Sequence, residues 1–288
     1  MATMTPTTGA VFIPETWAPE VQMARTNNLV MGNLVDKQYE KSLSYGDTVH
    51  IVSIAEMTAD VMVPGTALVP VAPTETEQTL VIDKYYGKAI ELQDVLKKQS
   101  KYELRQPYTE VLGRALATAI DSSLLSLYST VATANKMTTV AAVTYDDIVD
   151  AHLLLDAANV PMDNRVLVVN AQVLSDFRKD PQFTEYDSTG KEGTKETTMG
   201  IRGNIFNTPV YLSNAVKTAD ADGAGAGTDE AYQCLLFHKS AFAAAIQLQP
   251  DMESDRDILK KVDLLSTSAL WGVKTVRPDH AVVIQRTV

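Results

Sequence analysis

Hydrophobic and polar positions change period several times along the chain, and each change marks an element. Residues 1–44 are rich in Thr, Pro and Asn, with only a short amphipathic stretch from Ala18 to Val35, a pattern that predicts an N-terminal arm rather than a core element. YGDTVHIVSI, Tyr45 to Ile54, and TLVIDKYYGKAI, Thr79 to Ile90, have the β-branched and aromatic content of strands. Between them, Ala55 to Gln78 carries Pro64-Gly65, Pro70 and Pro73 with scattered Val and Met. That is too long a loop for a compact domain, so 45–90 reads as an extended two-stranded hairpin projecting from the body.

After Pro107, a good first-turn residue, apolar side chains recur at Val111, Leu112, Ala115, Leu116, Ala119, Ile120, Leu124, Leu127 and Val131. The spacing predicts one amphipathic helix from Pro107 to about Ala134, roughly 40 Å long at about 1.5 Å per residue, within a unit spanning 91–143. From 144 to 230 the pattern alternates helix and strand. Thr144 with Asp146 and Asp147 opens a helix whose apolar run is Ile148 to Ala158 and which Asn159-Val160-Pro161 ends. RVLVV, Arg165 to Val169, is a continuous apolar run suited to a strand covered on both faces, and AQVLSDFRK behind it predicts a helix stopped before Pro181. Glu185 to Thr198 and Ala219 to Thr228 lack apolar periodicity and predict mobile surface loops on either side of Ile205 to Leu212. From 231 to 288, strand-like runs stand at Cys234 to Phe237, Ala243 to Leu248, Val262 to Leu265, Trp271 to Val276 and Ala281 to Ile284. The order of elements gives a mixed α+β class, with no internal repeat of fixed period.

Composition narrows the function. The 288 residues are 45% hydrophobic and 21% charged, enough for a sizeable core. With 36 acidic against 25 basic side chains, the net charge of −11 argues against a sequence-independent grip on nucleic-acid phosphate. The single cysteine, Cys234, forms no internal disulfide, which points to a reducing compartment. The first residues carry no basic n-region followed by an apolar run, and no apolar stretch reaches about 18 residues, so neither a signal peptide nor a membrane span is expected.

No motif for catalysis, cofactor or metal emerges. His50, His152, His238 and His280 are far apart and form no HxxxH or HxH pair, and His152 among three leucines reads as a satisfied, partly buried imidazole. No Gly-x-Ser-x-Gly elbow occurs. Gly223, Gly225 and Gly227 lack a preceding strand, and Gly190-Lys191 is followed by Glu192, so both nucleotide-binding fingerprints fail. Asp146-Asp147 reads as a helix start and Asp251 to Asp257 as a solvated turn. From Lys84 to Arg114, by contrast, basic residues outnumber acids, which suggests a subunit contact with the acidic remainder of a neighbouring copy.

Read in order, these pieces resemble the major capsid proteins of tailed double-stranded DNA bacteriophages, the Hong Kong 97 phage fold. FIPETW at Phe12 to Trp17 resembles the start of their N-terminal arm, and YGDTVHIVS the first strand of their E-loop. RVLVVNAQVLSDF resembles their axial-domain strand, turn and helix; GIRGNIFNTPVYLSN and LWGVKTVRPDHAVVI resemble a later turn with strand and the closing strand pair. The resemblance implies an arm (1–44), an E-loop (45–90), a peripheral domain with a spine helix (91–143), an axial domain (144–230) and returning axial and peripheral strands (231–288). It also implies self-assembly into hexamers and pentamers that close an icosahedral head in the host cytoplasm. Double-stranded DNA would be enclosed without sequence-specific binding or contact with membrane. A portal protein and separate scaffolding and cement proteins are the implied partners.

Subunit contacts are expected at Phe12, Pro14 and Trp17 of the arm, at Val61, Met62, Val63, Leu68 and Val69 of the hairpin, and at Lys97, Lys98 and Arg105 of the basic stretch. No lysine stands between Lys41 and Lys84, so the E-loop lysine cross-link used by some relatives is not expected. The pattern starts by Phe12, so a fused scaffolding segment is not expected either. An encapsulin-type nanocompartment shell would share the fold, and an α/β enzyme with a site built from distant residues is the alternative from another class.

Overall fold

The computed structural model describes residues 30–288 apart from 43–45, 55–56, 58, 60, 63–71, 73–74, 100–104, 138–139, 181–203 and 221–229. Its strands form three sheets. β1 (Thr48–Ile54) and β2 (Glu75–Val81) make an antiparallel ribbon with Thr48 opposite Val81 and Ile54 opposite Glu75. The sequence reading of Thr79 to Ile90 as one strand is corrected: the chain leaves the ribbon at Val81 and resumes as β3 (Lys84–Gln93) in a second sheet of order β3-β10-β9. Here β9 is Phe242–Asp257 and β10 is Val262–Thr275. Each is longer than predicted, because Val262 to Leu265 and Trp271 to Thr275 belong to one strand. Asp251 to Asp257 is part of β9 and not a turn; this stretch is a sheet edge, paired among the described residues to β10 alone, which keeps its carboxylates in water. β9 bulges twice against β10, at Gln247 and between Leu248 and Asp251, and Pro250 sits inside the second bulge, where a missing N–H breaks no ladder bond.

A short helix α1 (Asp94–Gln99) follows β3, and then the long helix α2 (Arg105–Leu125) crosses the second sheet. Leu112 packs with Leu92 and Leu265, and Leu116 with Ala269 and Trp271. At 21 residues α2 is about 31 Å long, shorter than the pattern predicted. The cause is a run of hydroxyls. Ser123, Ser126, Ser129 and Thr130 each donate to the carbonyl three residues back, at 2.7, 2.7, 3.1 and 2.7 Å, and Ser126–Thr130 tightens into a 3-10 turn before Val131 becomes extended.

The third sheet has order β11-β8-β4-β6-β5, with β7 on the far end of β8. Its strands are β4 (Arg165–Val169), β5 (Asn204–Ile205), β6 (Thr208–Leu212), β7 (Thr218–Asp220), β8 (Glu230–His238) and β11 (Ala281–Thr287). Every residue of β4 is buried, as its unbroken apolar run predicts. α3 (Tyr145–Ala157) opens with the capping box between Thr144 and Asp147 and closes at Asn159, whose φ of 55° is the left-handed conformation that asparagine tolerates. Arg165, 3% exposed at its side chain, reaches back to the end of α3 and donates to Asp156 and the Val160 carbonyl at 2.6 Å and to the Pro161 carbonyl at 2.9 Å. His152 lies against this guanidinium and the Phe206 ring, and burial lowers its pKa. α4 (Ala171–Lys179) carries Asp176, which holds Arg286 of β11 through a 2.7 Å contact.

The end of the predicted arm is tied into the core. Met31 and Val35 are buried in the main cluster, and the Met31 N–H donates to buried Asp121 of α2 at 2.7 Å. The N–H groups of Val30 and Gly32 also favour the Asp121 carboxylate, but burial outweighs them and raises its pKa. Residue 36 then bridges to β9, where the Asp36 N–H donates to the Phe242 carbonyl at 3.0 Å. The predicted loop Glu185 to Thr198 lies outside the described residues; the predicted loop Ala219 to Thr228 is corrected at its start, where Ala219 and Asp220 pair with β8 as the end of β7, and 221–228 lie outside the described residues.

Candidate subunit interface

Among the described residues the ribbon is fastened at one end. Leu80 and Ile82 are buried against Ala245, with Val49, Ile51, Tyr39 and Leu270 around them. The Ile82 N–H donates to the Asp47 carbonyl at 2.8 Å, and Gln247 donates to the Gly46 carbonyl at 2.9 Å. Gly272 makes the seat possible: a Cβ there would stand 2.3 Å from the Val81 carbonyl oxygen. Past this anchor the two faces of the ribbon differ. Pairing puts His50, Val52 and Ile54 on one face with Thr79, Glu77 and Glu75, and this face is exposed, with His50 contacting Glu77. The other face ends in the Ser53–Thr76 hydroxyl pair at 3.0 Å.

Beyond the paired rungs, Met57, Val61 and Met62 are exposed, Val61 at 93% and Met62 at 65%. A second apolar group stands where α1 meets the β9–β10 turn: Val95 and Leu96 on α1, and Ile258 and Leu259 on the turn, Leu259 at 96%. Polar contacts hold these elements together: the Asp94 N–H donates to the Lys261 carbonyl at 3.2 Å, and Arg256 contacts Asp94 at 2.6 Å. Large apolar side chains held this far into water on two built elements are a surface awaiting cover.

Of the residues expected at contacts, Val61 and Met62 lie together on the hairpin, and Lys98 is exposed on a different element, α1. Lys97 belongs to α1 and Arg105 opens α2. Phe12, Pro14, Trp17, Val63, Leu68 and Val69 lie outside the described residues. Sequence reasoning missed Val95, Leu96, Ile258 and Leu259. Their signal was present as apolar residues inside charged surroundings, DVLKKQ and DRDILKK, which fit no core period.

A cleft of about 760 Å³ separates the ribbon from the third sheet, lined by Ile51 to Ile54, Asp36, Arg277, His238, Ser240 and His280. Ser240 Oγ stands 2.7 Å from His238 Nδ1 and 3.0 Å from His280 Nδ1. The Ser240 backbone N–H also donates to His238 Nδ1 at 3.2 Å, which makes that nitrogen an acceptor. The hydroxyl therefore donates to His238 and accepts from His280. This is a cap on the 3-10 turn Lys239–Ala241, carried across to the turn Pro278–His280, and both pKa values are lowered, first by burial. Cys234, fully buried, has its thiol pKa pushed up to about 12, chiefly by desolvation, and is chemically inert. Among the described residues no cluster of three or more His, Cys, Asp or Glu could hold a metal ion, and no helix is long and apolar enough to cross a membrane.

A family model described as phage capsid protein matches residues 75–284. A solved structure from Mycobacterium phage Che8 is 30% identical, with a TM-score of 0.78 over 95% of this chain and 97% of that one. The capsid structure of the Cyanophage P-SCSP1u is 19% identical, with a TM-score of 0.76 over 97% and 94% of the two chains. The capsid of a native GTA particle is 12% identical, with a TM-score of 0.71 over 100% of both. No curated protein matches the chain.

Proposed function

Because this chain belongs to the phage capsid protein family, we propose that its copies associate as hexamers and pentamers that close into an icosahedral head around double-stranded DNA. It is a structural shell protein of the virion capsid, with the Hong Kong 97 phage-type fold. The observation that carries the assembly reading is the ribbon, a hairpin seated at its base by Leu80, Ile82 and Gly272 whose outer part holds Val52, Ile54, Met57, Val61 and Met62 in water. Against a neighbour those side chains lose their contact with water, at about 25 cal/mol per Å² of apolar surface. The exposed tip of Val95, Leu96, Ile258 and Leu259 offers a second contact, and Phe12, Pro14, Trp17, Val63, Leu68, Val69, Lys97, Lys98 and Arg105 complete the proposed interface.

The role is mechanical rather than enzymatic. α2 stiffens the second sheet; the arm and axial segments take the bounds read from sequence, while the hairpin ends at Val81 and β3 joins the peripheral segment. The net charge of −11 lets the inner wall release packed DNA instead of gripping it. A portal protein, with separate scaffolding and cement proteins, supplies what one chain lacks, and assembly takes place in the host cytoplasm. Light scattering and negative-stain microscopy on purified protein test the reading. Closed shells, or rings of five and six, are the expected result, and a persistent 31.4 kDa monomer, with and without co-expressed scaffold, overturns it. An encapsulin-type compartment would give shells loaded with protein cargo and no genome.

A further inference from the structure

The β3-β10-β9 sheet has one face under α2; the ribbon base covers the opposite face at Leu270 and Gly272, and from Ser268 to Leu264 that face has no cover among the described residues. Register defines that uncovered face as rows: Gly87, Ser268 and Asp251; Ala89, Ser266 and Glu253; Glu91, Leu264 and Asp255. The centre of the first two rows is flat, and the β9 end of the face carries three exposed carboxylates. The nearby cations are engaged elsewhere, Arg256 with Asp94 and Asp263 and Lys260 with Glu91 and Asp257. Asp251, Glu253 and Asp255 have no cationic partner among the described residues.

The other edge of the same sheet has the opposite sign on the opposite face. Lys84 and Lys88 of β3 pair in register with Trp271 and Thr267, the parity that faces α2, and neither has an acidic partner among the described residues. A sheet that is acidic on its outer face at one edge and basic on its inner face at the other is matched to a copy of itself by overlap, as roof tiles are. Coplanar edge-to-edge joining would put the charges on opposite sides of the combined sheet.

Resting on the assembly reading above, we propose that the lysine rim of β3 in one copy laps over the acidic outer face of β9 in the next copy of this chain. The contact is heterologous, so its repetition gives a ring where the rotation between copies closes, as the proposed hexamers and pentamers require. It needs no covalent step, and it weakens with salt because the paired groups lie near the surface.

Charge reversal in the full chain tests it. K84E/K88E and D251K/E253K/D255K, each prepared alone, are expected to raise the protein concentration needed for assembly about tenfold, since like charges then face one another. The combined five-site variant is expected to restore it, because every contact again joins opposite signs; an equimolar mixture of the two partial variants is expected to restore six-membered rings, in which they alternate, but not five-membered ones. Circular dichroism and melting confirm that each variant is folded. Assembly of either partial variant at the wild-type concentration, or failure of a folded five-site variant to assemble, overturns the lapped contact. Failure of the wild-type chain itself to assemble strikes the capsid reading instead.

Discussion

Replacing Gly272 by alanine tests how the hairpin is held. The added Cβ would meet the Val81 carbonyl oxygen at 2.3 Å and its carbon at 3.0 Å, where ordinary contact begins near 3.4 Å. Both partners are backbone, so no side chain can swing aside, and β2 must retreat from β10 by about 1 Å. Overpacking of this kind costs about 1–3 kcal/mol. The retreat also loosens Leu80 and Ile82, each worth about 1.5–3 kcal/mol when fully buried, so the upper end of the range is expected. The strain is local to the seat. Hydrogen exchange should therefore quicken first at the amides of Ile82 and the β1–β2 rungs while the β4 and β8 amides stay protected, and shell yield should fall more than secondary structure does. Wild-type exchange at Ile82 together with wild-type assembly in G272A would refute the close approach as the basis of hairpin seating.

Four further outcomes are expected. V52S/I54S should leave the melting temperature within about 0.5 kcal/mol equivalent of wild type, because both side chains are exposed, yet reduce assembly measured by light scattering. D121N should be tolerated, since an amide oxygen still accepts from Met31 and burial already disfavours the charge, whereas D121A strands buried N–H groups and should cost about 1–3 kcal/mol in urea unfolding. Arg286→Met leaves Asp176 buried without its cation and should cost about 3–5 kcal/mol in the same assay. His238 and His280 are held below the unfolded value of 6.5, so the folded state favours their neutral forms and stability is lost as pH falls through 6.5 toward the lowered values. H238Q/H280Q should flatten part of that fall in melting temperature, His152 supplying the remainder in the same direction.

Sequence read well wherever an element's own residues decided its shape. The β4 run and the Thr144 capping box are local statements, and both stand as predicted. It read poorly where a distant partner decided. TLVIDKYYGKAI looks continuous, and only the seat formed by Ala245 and Gly272 turns Ile82 inward and separates β2 from β3. Ser266, Thr267 and Ser268 interrupt the apolar pattern of β10, but strands on both sides hold them in register. The helix end was local and still missed, because hydroxyl groups that return bonds to the preceding turn carry no apolar signature. For the candidate interface, Val61 and Met62 were visible as apolar residues in an unlikely loop, while the tip of α1 and the β9–β10 turn needed the sheet to unite residues far apart in sequence.

The ribbon also bears on how growth of a shell begins. Seven rungs of a two-stranded sheet, about 20 Å of it, have no third strand to hold them among the described residues, and such a pair is marginal in water by itself. Two copies that meet must order a ribbon for a single contact, while a copy joining a partly closed ring gains contacts on both sides for the same loss of freedom. Early steps are then unfavourable and late ones favourable, which is the condition for a nucleation lag. Free protein persists until a critical ring appears, after which few shells grow to completion instead of many fragments exhausting the pool.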